Sequence, residues 1–149
     1  MRTLVQRVRY ARVRVNGEVV AEIGPGLLAF VGFAPTDTPE VLRWMAHKLF
    51  HLRVFPDAEG RMNLSVREVG GGVLVVSQFT LYGDVRRGFR PSFTDAAPPE
   101  QARQLYDQFL LFCRDYDVPV ASGIFGAMME VELLNDGPVT IWIEREAAE

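Results

Sequence analysis

The sequence predicts an α+β fold, a single domain with a largely antiparallel, barrel-like β-sheet and two packed helices. Three observations point there. Short apolar runs with period two are separated by turn residues, and two longer stretches carry apolar residues at helical spacing. The order along the chain is strands, helix, strands, helix, strands. The 149 residues, 48% apolar and 23% charged, suit one soluble domain able to bury its own core. Residues 1–149 are therefore read as one unit, with a tail after Glu144 expected to fray.

Asn16-Gly17 in ARVRVNGEVVAEI lies between two strand-like runs and marks a hairpin. The GPG at 24–26 breaks the chain, and LLAFVGF reads as a buried strand. In TDTPEVLRWMAHKLFHL, Asp37 or Thr38 can cap a helix and Pro39 suits its first turn. Val41, Leu42, Trp44, Met45, Leu49 and Leu52 form its apolar face. LRVF, the turn PDAEGR and MNLSV lead to the glycines at 70–72, and VLVVSQFTLY (73–82) is the most strand-like stretch of all. A basic loop precedes a second helix, PPEQARQLYDQFLLFCRDY, with its face at Ala102, Leu105, Tyr106, Phe109, Phe112 and Tyr116. AMMEVELL alternates as a half-exposed strand. NDG then provides turn chemistry before the last strand, VTIWIE. Within that junction sits Gly137-Pro138, the kind of bond that adopts cis at modest cost.

The one cysteine, Cys113, excludes an internal disulfide framework and a Cys-based zinc cage, and it suits a cytoplasmic setting. The basic N-terminus is not followed by an apolar run of membrane-spanning or signal-peptide length, so a soluble, unprocessed chain is expected. The net charge of −3 gives no global attraction to nucleic acid. Two clusters are locally basic: Arg2, Arg7, Arg9, Arg12 and Arg14 near the start, and Arg86, Arg87 and Arg90 in DVRRGFRPSF. These read either as solvated faces or as phosphate contacts that position an RNA end.

The usual catalytic signatures are absent. There is no Walker-type loop, no dinucleotide fingerprint and no G-x-S-x-G elbow. His47 and His51 share one side of a helix, but Lys48 stands where a zinc hydrolase of the His-Glu-x-x-His type has glutamate, and no third ligand is nearby. No metal and no cofactor are expected. No motif brings a histidine to a serine or threonine. Instead, Ser77, Gln78 and Thr80 interrupt an apolar strand at its far end. Buried polar groups there need partners, either as the strand emerges into water or as parts of a site.

SQFTL at 77–81 and NDGPVT at 135–140, in this order and separation, resemble the motifs of the D-aminoacyl-tRNA deacylases, the D-tyrosyl-tRNA deacylase family. The similarity runs almost from end to end, through the opening QRV, DAEGRMNLSV, RPSF and LYDQF. It departs at Met128, where some members carry Asp. The resemblance implies an ester hydrolase that releases D-amino acids from the 3′ acceptor end of tRNA, and that cleaves glycine mischarged on a non-glycine tRNA. It also implies a cytoplasmic homodimer with active sites at the subunit interface, and no membrane or DNA partner. Ser77, Gln78, Phe79 and Thr80 would form the catalytic pocket. A cis Gly137-Pro138 reaching across the interface would exclude L side chains, with Arg7 holding it. Arg86, Arg87 and Arg90 are candidate tRNA contacts. The expected chemistry is attack by water assisted by the RNA 2′-hydroxyl, with N–H groups around Gln78 and Phe79 stabilising the oxyanion. Thr80 as nucleophile, a non-catalytic RNA- or amino-acid-binding module, and a general small-ester hydrolase are the alternatives.

Overall fold

The computed structural model describes residues 1–147. Its organising element is β1 (Arg2–Val15), a long strand with partners along both edges. On one edge its first half pairs with β3 (Gly26–Gly32) and its second half with β2 (Glu18–Ile23), both antiparallel. Asn16 and Gly17, with φ of 52° and 80°, make the tight turn into β2 that the Asn-Gly pair predicted. On the other edge β1 pairs antiparallel with the last strand, β8 (Glu130–Glu144). The helix α1 (Pro39–His51) and a small hairpin of β4 (Phe55–Pro56) and β5 (Met62–Leu64) intervene before β6 (Gly72–Ser77). The helix α2 (Pro99–Cys113) precedes β7 (Val120–Ser122).

The fold class is as expected, an α+β sheet with two helices, but the sheet is mixed. β6 lies parallel to β3 on one side and to β7 on the other. Both connections leave one end of the sheet, carry a helix and re-enter at the opposite end, which is what a parallel pairing requires. β2 also lies against β6 and β7, so the sheet curls towards a barrel.

Alternation along the strands separates two cores. Leu27, Ala29, Val31, Val73 and Val75 face the helices, where Leu42, Met45, Leu49, Phe50, Leu105 and Phe109 cover them. Leu28, Leu74 and Val76 point the other way, into a smaller cluster with Val8, Ala11, Val13 and Ile23. The face of α2 also includes Leu110 and Cys113, while Phe112 is only half-buried and Tyr116 stacks on Phe50 at 4.8 Å. Thr38 caps α1, its hydroxyl accepting from the Val41 N–H at 3.4 Å. Asp37 does other work: its carboxylate accepts from the Met1 ammonium at 2.8 Å and from the Ala34 N–H at 2.9 Å.

Two sequence expectations change. The strand through 73–82 stops at Ser77, and Phe79–Tyr82 coil into a 3₁₀ turn, so the alternation of faces ends there. The NDG segment is not a turn between two strands, because β8 runs through it. Two steps along β1, Gln6 to Val8, face five along β8, Asn135 to Thr140, so the excess residues of β8 bulge out of the ladder. Of the tail, Arg145 is tied back, its N–H donating to the Met1 carbonyl at 3.0 Å. Residues 148 and 149 lie outside the described residues.

Candidate active site

The carboxyl ends of β3 and β6 open into a cavity of about 720 Å³. Crevices outside the carboxyl ends of parallel strands are where sheets of this kind commonly bind ligands. Gly32 and Phe33 of the β3 end, Val76 to Phe79, Phe93, Ala96 to Pro99, Ala102, and Phe125 to Met129 with Val131 line it. The sequence folds this way because Gly32 lets the 3₁₀ turn approach. A Cβ there would meet the Gln78 carbonyl at 3.0 Å and Leu81 Cβ at 3.3 Å. Phe79 is half exposed, and Phe93 meets it edge-on with centroids 5.1 Å apart.

The polar groups of this wall are few. The Gln78 N–H donates to the Val31 carbonyl at 2.7 Å and is thereby occupied. Among the described residues no acceptor meets the N–H of Phe79 or of Thr80, the first donors of the 3₁₀ turn. The Gln78 side-chain amide donates to the Thr80 hydroxyl oxygen, a close contact from a group that cannot take a proton away. Among the described residues, no histidine, carboxylate, lysine or arginine lines the cavity.

Other candidate nucleophiles and bases lie elsewhere. His47 and His51 stack at 4.1 Å on α1; His51 Nδ1 meets the His47 carbonyl at 2.8 Å and its Nε2 meets Arg67 at 2.9 Å. Burial pushes the Cys113 thiol up to about 12, so it stays protonated in the core. Tyr106, likewise raised to about 12 by burial, donates its hydroxyl to the Val75 carbonyl at 2.9 Å and pins α2 to β6.

Gly137 and Pro138 form a second locus. Their peptide bond is cis, both residues are exposed, and neither belongs to the lining of the cavity in their own chain. Asn135 bridges the base of the bulge: its side chain accepts from the Val139 N–H at 2.8 Å and donates to the Val139 carbonyl at 3.1 Å. Arg7 braces the bulge from β1, Nε donating to the Asp136 carbonyl at 2.8 Å and Nη1 to the Val54 carbonyl at 2.6 Å. Gly137 has φ of +145°, and a Cβ on it would come within 2.8 Å of Val139 Cγ2 and 3.2 Å of Arg7 Nη2. Only glycine fits there.

The three loop arginines differ from one another. Arg86 is bound to the Asp84 carboxylate by Nε at 2.9 Å and Nη2 at 2.7 Å, and this contact pulls the Asp84 carboxyl down to about 2. Arg87 and Arg90 are exposed, with no carboxylate partner among the described residues. Of the residues singled out from sequence, Ser77, Gln78 and Phe79 line the cavity and Thr80 does not, while Phe93, Phe125, Met128 and Met129 line it without having been singled out as site residues. The glycines at 123 and 126, which set off Phe125, were the available signal.

The chain thus carries its two motifs on one mixed, curled sheet, SQFTL at the cavity end of β6 and NDGPVT on the exposed bulge of β8. Residues 4–144 match the D-Tyr-tRNA(Tyr) deacylase family model, and the chain belongs to that family. It is 55% identical over 144 residues to a D-aminoacyl-tRNA deacylase of Carboxydothermus hydrogenoformans, covering 97% of this chain and 99% of the relative. Identity is 56% over 144 residues to the deacylase of Syntrophobacter fumaroxidans, covering 97% of each. Among solved structures, the c-Myc DNA unwinding element binding protein superposes with a TM-score of 0.94 at 42% identity, covering 99% of this chain and 100% of that one. A structure described as a probable eukaryotic D-amino acid tRNA deacylase shares the fold, with a TM-score of 0.82 at 23% identity over 95% of this chain and 97% of that one. No helix among the described residues is long and apolar enough to cross a membrane.

Proposed function

We propose that this chain hydrolyses the ester linking a D-amino acid to the 3′ end of tRNA, releasing the free D-amino acid and tRNA. The observation that carries this reading is an apolar cavity in whose wall, among the described residues, no titratable side chain stands, with the backbone N–H groups of Phe79 in that wall and of Thr80 next to it meeting no acceptor among those residues. Such a wall cannot act as a general base. It can hold an activated ester and stabilise the oxyanion that forms when water attacks. The vicinal 2′-hydroxyl of the terminal ribose is the group that assists the water, so the substrate brings the proton-transfer function that the cavity lacks. Gln78, whose own N–H is spent on Val31, serves by positioning the turn. Ser77 lines the cavity floor.

Selectivity comes from the bulge at Gly137 and Pro138. The bulge projects outward from its own chain, which supports a homodimer in which each chain's Gly-Pro enters the other's cavity. A rigid backbone set against the chiral centre admits hydrogen on that side and collides with an L side chain, a rejection stronger than differences in attraction can supply. Glycine has no side chain to reject, so glycine carried by a non-glycine tRNA is also a substrate. The enzyme acts in the cytoplasm and needs no cofactor. The test is paired deacylation of D-tyrosyl-tRNA and L-tyrosyl-tRNA with chelator present. Loss of the D ester with the L ester spared is the expected result. Cleavage of both, or cleavage only after metal is restored, refutes it.

A further inference from the structure

The loop from Asp84 to Ser92 leaves the 3₁₀ turn of the cavity wall and returns to Phe93, the ring that meets Phe79. Its base is closed by a pair of backbone bonds, Asp84 N–H to the Ser92 carbonyl at 2.7 Å and Ser92 N–H to the Asp84 carbonyl at 2.9 Å. Arg86 staples it further by its two bonds to the Asp84 carboxylate. At its tip, next to Gly88 with φ of +66°, Phe89 is fully exposed. Around it stand Arg87 and Arg90, and between residues 85 and 91 there is no acidic residue.

An exposed phenyl ring on a braced loop, between two cations that meet no carboxylate among the described residues, matches a ligand with both flat faces and negative charge. Single-stranded RNA is such a ligand, because bases stack on aromatic rings while phosphates meet arginine. A protein partner fits less well, since an apolar contact there would bury Arg87 and Arg90 without partners. We infer that Phe89 stacks an unpaired base of the acceptor strand upstream of the terminal nucleoside. Arg87 and Arg90 contact the flanking phosphates, and Arg86 acts on the loop alone. The inference rests on the proposed RNA substrate and adds a residue that positions it, outside the two motifs.

The test compares wild type, Phe89→Ala, Phe89→Leu, Phe89→Trp and the Arg87→Ala/Arg90→Ala double variant. Binding of a fluorescein-labelled RNA tetranucleotide ACCA is measured by anisotropy, alongside deacylation of D-tyrosyl-tRNA and of 3′-D-tyrosyl-adenosine. With Phe89→Ala, affinity for the tetranucleotide falls about tenfold and KM for D-tyrosyl-tRNA rises to match. Turnover of the nucleoside ester is unchanged. Tryptophan restores binding and leucine does not, which separates stacking from mere apolar bulk. In the double variant the dependence of log affinity on log salt flattens by about 1.4, the value for two single-strand phosphate contacts. Equal tetranucleotide binding by wild type and Phe89→Ala overturns the inference. So does equal loss on both esters, or a change in oligomeric state with RNA affinity retained. If D-tyrosyl-tRNA is not cleaved by wild type, the proposed function fails, and the tetranucleotide titration still decides the role of Phe89.

Discussion

The guanidinium of Arg7, on β1, holds the main-chain carbonyl of Asp136 at 2.8 Å and at the same time the carbonyl of Val54 at 2.6 Å. One side chain thus ties the bulge of β8 to the segment that follows α1. Each bond joins a cation to a half-buried carbonyl, and removing the cation leaves two acceptors short of a donor. Arg7→Ala is expected to lower stability by roughly 2–4 kcal/mol. Because the bulge loses its brace, activity on D-tyrosyl-tRNA should fall by more than the loss of folded protein explains. Thermal unfolding with kcat/KM on the folded fraction checks this. An unchanged kcat/KM would show that the brace is dispensable.

Gly137→Ala addresses the bulge itself. The added methyl meets Val139 Cγ2 at 2.8 Å, in a backbone conformation that L side chains rarely adopt. The cost is about 1–3 kcal/mol, small enough for the sheet to remain folded. Cleavage of D-tyrosyl-tRNA is expected to fall steeply while circular dichroism is unchanged. Wild-type turnover by the folded variant would remove this backbone from the selectivity mechanism.

These two positions also show what could be read from the chain. Asn135, Asp136 and Gly137 signalled a break in regular structure, but the same residue types serve a turn and a bulge equally. The choice is made by Arg7 and by the pairing of β1 on both sides of the break, more than a hundred residues away in sequence. Val73 to Val76 announced a strand buried on both faces, a pattern shared by central parallel strands and by the core strands of antiparallel sandwiches. The direction of pairing depends on where the connecting helices cross, which no local pattern carries. Ser77, Gln78 and Thr80 stood out as polar residues ending an apolar run. Phe93 and Phe125 carried no local signal of a site, and Met129 read as one side of a half-exposed strand, but the fold brings all three round the same cavity.

Thr80→Val tests the covalent alternative. The hydroxyl receives a bond from the Gln78 amide and meets no base among the described residues, so its loss removes one hydrogen bond. Turnover should drop about fivefold, the equivalent of roughly 1 kcal/mol. Mass spectrometry of wild-type enzyme quenched during turnover should find no acyl-threonine. Complete loss of activity together with a trapped adduct would make Thr80 the nucleophile.

Among the described residues no acid or base stands in the cavity wall, which predicts a pH profile without an enzyme base. The profile of kcat/KM should show no inflection in the histidine range, and His47→Ala/His51→Ala should stay within about twofold of wild type. A histidine-like inflection that vanishes in the double variant would bring a protein base back into the mechanism.

Asp84 and Arg86 supply the last prediction. The side-chain bonds from Arg86, followed by its backbone N–H, hold the Asp84 carboxyl at about 2, below its ordinary value. A carboxylate whose folded value is depressed contributes fully above its unfolded value of about 3.9. It loses that contribution as pH falls through the folded one. The loop should therefore keep its structure through mildly acidic conditions and loosen only as pH approaches 2, while Arg86→Ala should loosen it already at neutral pH and make no further difference below about 2. Carbon-detected NMR of the Asp84 carboxyl gives the titration directly, and hydrogen exchange at Arg86 and Ser92 reports loop order. A midpoint near the ordinary aspartate value would mean that the ion pair does not brace this loop in solution.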